Sequence, residues 1–248
     1  MSELNVVVFG ATGALGSCLA RQLVDSGHRV LVSGRDEAKT RELGEELGAE
    51  WHVADVRDSG NVKAGVAAAV DTFGQIDGVV NCAGSLLLKS AHTTTDEEWD
   101  DVLSTNLTGS FYTVRESARV MQKHGGAIVL VSSAAAQVGL VNHEAIASAK
   151  AGVEGLVLSS AATYASRGIR VNAVAPGLVE GTMTERLTAN PDSLKVSKAM
   201  HPVGRIGRPE DVASAIVWLL GADNDWVTGQ IIGVDGGLAR LRGRQRVA

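Results

Sequence analysis

"LNVVVFGATGALG", residues 4–16, decides the fold. A short apolar run ends at Gly10, and Gly13 and Gly16 follow at a spacing of three. A run of this kind closed by a turn residue reads as a buried strand. Beyond it, Leu15, Leu19 and Leu23 fall on one face of a helix. In a strand–turn–helix unit, three glycines permit a tight turn, close backbone approach to a pyrophosphate, and close packing of helix on sheet. The helix N-terminus supplies free N–H groups and the positive end of the dipole to the phosphates. The competing reading is a structural turn with no ligand; the strand before and the helix after weigh against it.

Outward from this unit the same alternation repeats. "HRVLVSG" reads as a strand and "DEAKTRELGEELG" as an exposed helix, with Asp36 at its cap and Gly48 at its stop. "EWHVADV" is a third strand, 58–73 a helix, and "QIDGVVNCAG" a fourth strand. Residues 96–123 are helical, "GGAIVLVSS" is a fifth strand, and 143–166 form a small-residue helix. "GIRVNAVAPG" is a sixth strand, 177–205 are irregular or short helix on the substrate side, 209–221 are helical, and "GQIIGVDGG" is the last strand. Strands apolar on both faces, alternating with helices, predict an α/β fold with a doubly wound parallel sheet. No Pro/Gly/Ser-rich linker interrupts the pattern, so residues 1–248 are expected to form a single Rossmann-fold domain.

Composition narrows the function. The chain has 248 residues, a formal charge of -5 and 45% hydrophobic residues, which suits a globular protein with a sizeable core. Nucleic acid is not expected as a partner, because its footprint is clustered Lys and Arg. No run of ~18 apolar residues marks a membrane span. The start, "MSELNVVVFG", lacks a basic region and cleavage site, so a secretory signal is not expected. Cys18 and Cys82 are the only cysteines, both in segments read as buried, and their spacing predicts no metal site. A cytoplasmic location is the expectation.

The second strand ends "SGR". An acid there would hold the ribose hydroxyls of an unphosphorylated dinucleotide. Gly34 offers none, and Arg35 could accept a 2′-phosphate, so NADP(H) is expected in preference to NAD(H). A solvated surface arginine is the plainer alternative.

These pieces together resemble the short-chain dehydrogenase/reductase family over nearly the whole chain, with the 3-oxoacyl-carrier-protein reductases closest in shape. "GATGALG" is similar to its Gly-x-x-Gly-x-x-Gly cofactor loop, which implies Gly10, Thr12, Gly13, Leu15 and Gly16 as cofactor contacts. The resemblance implies that Asp55 and Val56 of "ADV" contact adenine, and that "NCAG" supplies Asn81, Ala83 and Gly84. "NLTG" supplies Asn106 as the active-site asparagine, and "VLVSS" supplies Ser133 to hold a substrate carbonyl. Pro176 and Gly177 of "VNAVAPG" would close over the nicotinamide. For Asn106 and Ser133 the alternative is ordinary hydrogen bonding within a helix and at a strand end.

One position departs from the pattern. The family pairs Tyr and Lys four apart on a helix, so that both lie on one face. The ammonium lowers the phenol's pKa. Thirteen residues after Ser133 stands Ile146, with Lys150 four further on. The only tyrosines, Tyr112 and Tyr164, lie elsewhere. In the family the lysine also holds the nicotinamide ribose, so cofactor binding by Lys150 can outlive the tyrosine. Ile146 and Leu86 are expected to line the substrate pocket. His143 lies seven residues before Lys150. On an unbroken helix the two would point within ~20° of each other, ~10.5 Å apart along the axis. Relatives that reduce enoyl thioesters place their tyrosine there, so His143 is a candidate acid. The plain alternative is a polar residue near a helix start.

Leu86, Leu87 and Leu88 read equally as a pocket entrance or as core. The small residues Ala151, Gly152 and Gly155 after Lys150 call for a packing reason, and the family packs this helix between subunits. A homo-oligomer, tetramer or dimer, is therefore expected. The tail carries Arg240, Arg242, Arg244 and Arg246 and reads as solvated. Two functions follow. One is an oxidoreductase acting on a small carbonyl, activated C=C or imine substrate through Asn106, Ser133, Lys150 and His143. The other is a catalytically silent NADP(H)-binding subunit or sensor that pairs with an active relative.

Overall fold

The structure, a computed structural model, describes residues 3–242. Arg244 and Arg246 of the expected tail lie outside the described residues. The elements run β1 (Asn5–Phe9), α1 (Ala14–Asp25), β2 (Arg29–Gly34), α2 (Glu37–Leu47), β3 (Glu50–Val53), α3 (Ser59–Phe73) and β4 (Gly78–Asn81). They continue α4 (Asp96–Leu103), α5 (Gly109–Met121), β5 (Gly126–Val131), α6 (Glu144–Tyr164), β6 (Ile169–Pro176), α7 (Glu185–Thr188), α8 (Pro191–Met200), α9 (Pro209–Leu220) and β7 (Ile231–Val234). All strand pairs are parallel, in the order β3-β2-β1-β4-β5-β6-β7.

The apolar strands explain the layers. Side chains alternate along β1. Val6 and Val8 join Leu19, Leu23, Val212 and Ile216, under α1 and α9. Val7 and Phe9 join Val62, Val66, Val153 and Val157, under α3 and α6. All these residues are buried, and burying an aliphatic or aromatic side chain contributes roughly 1.5–3 kcal/mol. Two helical layers on one sheet are therefore what the two-faced apolar pattern requires. No helix among the described residues is long and apolar enough to cross a membrane.

Capping sets the helix ends. Asp36 accepts from the Lys39 N–H at 3.1 Å to start α2, and Gly48, at φ 60°, ends it. Asp58 caps α3 in the same way. The expected helix over 96–123 is α4 and α5 joined by a π-helical turn, Ser104–Thr108. Likewise 177–205 contain α7 and α8. The helix expected from residue 143 starts one residue later: His143 is its N-cap, at φ -109° and ψ 14°.

The order of the sheet reverses between β1 and β4, since β2 and β3 lie to one side of β1 and β4 to β7 to the other. Loops leaving the carboxyl ends on either side of such a point separate and leave a crevice.

Candidate active site

A cavity of about 240 Å³ fills that crevice. Its walls are Gly13–Gly16 after β1, Cys82–Leu86 after β4, Val131–Ser133 at the end of β5, and Pro176–Thr184 after β6. Asn106, Ile146 and Lys150 complete it from the helical side.

The glycine turn is built for close approach. Gly10 has φ +70°, and a Cβ there would collide with the backbone of Ala83. A Cβ on Gly16 would strike the Gly10 carbonyl. Gly13 differs: its nearest neighbour for a Cβ is the Gly10 oxygen at 3.5 Å, and it lines the cavity. It is also the N-cap of α1, with no side chain bonded to the helix N-terminus. Uncapped N–H groups beside an open wall of glycine fit a dinucleotide pyrophosphate.

The other end of a dinucleotide would meet a different set. At Gly34, the last residue of β2, a Cβ would lie 2.8 Å from Thr40 Oγ1 and 3.0 Å from Thr12 Cγ2, so a side chain there would require both threonines to shift. Arg35 is exposed beside it. Asp55 holds Arg57 through several hydrogen bonds, the shortest 2.7 Å. Those bonds keep the Asp55 carboxyl below its usual range against burial, and Arg35 adds a longer-range attraction. Val56 packs against Gly109. Asn81 accepts from the Ala83 N–H at 3.0 Å, while its buried Nδ2 has no partner. Thr12, Arg35, Asp55, Val56 and Asn81 do not line the cavity.

The helical wall carries the reactive groups. Asn106 is fully buried in the π turn. Its Oδ1 accepts from the Ser85 N–H at 3.3 Å, and its Nδ2 donates to Ser85 Oγ and to the Val102 carbonyl, each at 3.0 Å. This ties the loop after β4 to the helix. Ser133 Oγ accepts from the Ala135 N–H at 3.1 Å, and its own O–H remains available to a ligand. Lys150 is 6% exposed and donates to the Val131 carbonyl at 2.7 Å. Burial lowers its ammonium to about 8, opposed by the nearby Cys82. Burial pushes the Cys82 thiol up to about 12.

Ile146 is 4% exposed and clusters with Val102, Ala145 and Ala149, with Leu86 and Leu87 against them. Of the leucine run, Leu86 both lines the cavity and packs on this cluster. No tyrosine and no histidine lines the cavity. His143 Nδ1 lies 2.8 Å from the Val141 carbonyl instead. The projection that aligned His143 with Lys150 assumed helical geometry, and His143 lies outside the helix, so the two do not share the cavity. Asn142, at φ 62°, turns the chain just before it.

Sequence reasoning read Cys82 only as buried and did not single out Ser85, Ser132, Glu180 or Thr182–Thr184; all of these line the cavity. Only the position of "NCAG" at a strand end could have pointed to Cys82. No group of metal-ligating side chains occurs among the described residues.

Residues 10–239 match the model of a family described as enoyl-(acyl carrier protein) reductase. The chain is 37% identical to inactive 2-(S)-hydroxypropyl-CoM dehydrogenase 2 of Xanthobacter autotrophicus, over 90% of this chain and 100% of that one. It is 35% identical to a 3-oxoacyl-acyl-carrier-protein reductase of Staphylococcus aureus, over 94% of this chain and 97% of that one. It superposes on a variant of actinorhodin polyketide ketoreductase crystallised with NADPH, at TM-score 0.90 and 32% identity, over 96% of this chain and 98% of that one.

Proposed function

We propose a function for a chain that belongs to the short-chain dehydrogenase/reductase family: an NADP(H)-dependent oxidoreductase with a proton-donor site altered at Ile146. The observation that carries this reading is the cavity that joins the glycine turn to Asn106, Ser133 and Lys150 without a phenol. When bound, the nicotinamide supplies or accepts a hydride. Gly13 and the open N-terminus of α1 would hold the pyrophosphate, Arg35 the 2′-phosphate, and Lys150 the ribose. Ser133 would hold the substrate's polar atom by its free O–H, and Asn106 would hold the Ser85–Leu86 loop against it. Pro176 and Gly177 would cover the nicotinamide.

The substrate class is a carbonyl, an activated C=C or an imine. The apolar contribution of Ile146 and Leu86 suits a substrate that is itself mostly apolar. Two things support NADP(H): glycine at 34, which offers no acid to the ribose beside the exposed Arg35, and the NADPH held by the related ketoreductase. The chain would act as a homo-oligomer, since Phe111 on α5 and Leu158 on α6 are exposed, and sedimentation velocity measures this directly.

A second reading has its own observation. Ile146 presents an apolar side chain to the cavity and packs on apolar neighbours, and one relative carries the name of an inactive dehydrogenase. A silent NADP(H)-binding subunit would have this appearance. The experiment that separates the two is NADPH oxidation by the purified protein across ketones, enones and cyclic imines. Turnover of any class supports the enzyme and names its substrate. NADPH binding without turnover supports the silent subunit. Absence of NADPH binding overturns both.

A further inference from the structure

The missing phenol leaves the question of where a proton would come from. Among the described residues, the ionisable side chains lining the cavity are Cys82, Lys150 and Glu180. Glu180 is exposed, on the loop after β6, outside the desolvated wall. Cys82 keeps its proton, because burial holds the thiol at about 12. Lys150 is different. It is buried and anchored by one hydrogen bond to a neutral carbonyl, and its ionisable neighbour Cys82 is a neutral thiol at the working pH. Glu154, one turn on in α6, is occupied by Ser132 and Gln137 at 2.8 and 3.0 Å. Asn106, facing from the π turn, is neutral. A Cβ on Gly84 would stand 3.8 Å from Lys150 Nζ, so glycine there leaves room beside the amine. Ile146, one turn back, places no polar group between the amine and the cavity.

We propose that Lys150 is itself the proton donor, passing a proton from its ammonium directly to the substrate atom that gains negative charge. This rests on the oxidoreductase reading. The co-reactant is a reduced nicotinamide. As hydride bonds to the substrate carbon, the π pair of the C=O or C=N bond moves onto the heteroatom. That atom takes the proton, and the N–H electron pair stays on the lysine nitrogen. The neutral amine then regains a proton from water. An ammonium lowered to about 8 suits this task, because a general acid works best when its pKa lies near the working pH. The acid must be protonated to act, so reduction runs at its plateau below about 8 and falls as pH rises past it.

Two measurements test this. The first needs no catalysis: acetylation of Lys150 in the intact protein against pH, quantified by mass spectrometry, with and without NADPH. The expected midpoint is about 8; a midpoint near the ordinary lysine value of roughly 10.4 overturns the proposal. The second is turnover of the best substrate from the panel by wild type and Lys150→Arg. Arginine keeps the charge but does not release its proton. Expected are NADPH binding weakened by less than roughly tenfold, since the guanidinium can still donate to the ribose, a loss of at least ~10² in kcat at saturating NADPH, and disappearance of the alkaline fall. Retained kcat with intact NADPH binding overturns the proposal and leaves the oxidoreductase reading standing. A flat wild-type pH profile does the same, and it decides the matter if Lys150→Arg does not fold. Wild type that binds NADPH but turns over nothing overturns both.

Discussion

At Ile146, side-chain chemistry and position pull apart. The residue stands one helical turn before Lys150, on the cavity wall, where a phenol would be held beside an ammonium. Ile146→Tyr restores that pair. General acid catalysis is worth ~10²–10⁴ in rate, but with Lys150 already supplying the proton the phenol only shares that work, so reduction of simple ketones, read as NADPH oxidation, should rise by less than ~10². Filling the apolar cluster with a larger ring should cost about 1–3 kcal/mol, read by urea unfolding. A rise of ~10² or more in the folded variant would show that no acid is at work in the wild type. His143 makes the opposite case. It stands outside the cavity, bonded to Val141, so His143→Ala should change kcat by less than roughly tenfold. Arg35 tests the cofactor. It is exposed, so Arg35→Ala should weaken NADPH binding and leave NADH binding unchanged in a fluorescence titration. Equal losses for the two dinucleotides would remove the 2′-phosphate from its account.

At the scale of elements, the π turn Ser104–Thr108 is what carries Asn106 into the site. Such turns widen a helix locally and recur at functional sites. Asn106→Ala would leave the Ser85 N–H without its partner inside the protein. A buried group orphaned in this way costs about 1–3 kcal/mol, so the variant should unfold at lower urea. Because the loop it frees carries Ser85 and Leu86, KM should rise as well. A stability loss with KM unmoved would make the residue a matter of folding alone. The elements themselves were largely legible in the sequence. Strands such as Val6–Phe9 are apolar on both faces because helices cover both, and Asp36 and Gly48 mark a helix by the geometry of its ends. The π turn was not legible, because it is a backbone conformation with no residue pattern of its own. The relation of His143 to Lys150 was misjudged because helical projection fails at the first non-helical residue. The places of Cys82 and Thr182–Thr184 on the cavity wall were not legible because what lines a crevice depends on how separate loops converge.

For the whole molecule, the sheet gathers its functional loops at one end and buries two coupled ionisable groups there, Lys150 and Cys82. Their titration should govern stability in alkali, with opposite signs. The Lys150 ammonium falls from 10.5 to about 8 on folding. Between those values the unfolded chain binds more protons, so stability rises with pH. The Cys82 thiol rises from 9.0 to about 12. Above the lower value the unfolded chain ionises first and binds fewer protons, so stability falls with pH. The lysine effect should therefore lead from about pH 8 to 9, the two should offset each other to about pH 10.5, and the thiol effect should lead beyond. One proton of difference is worth about 1.4 kcal/mol per pH unit, which urea unfolding at closely spaced pH values resolves. Lys150→Met should abolish the rise, and Cys82→Ser should abolish the later fall. If the difference between wild type and Lys150→Met stays constant from pH 7 to pH 10, the amine is not desolvated in the folded chain. The cavity would then be wetter than its apolar wall of Ile146 and Leu86 implies.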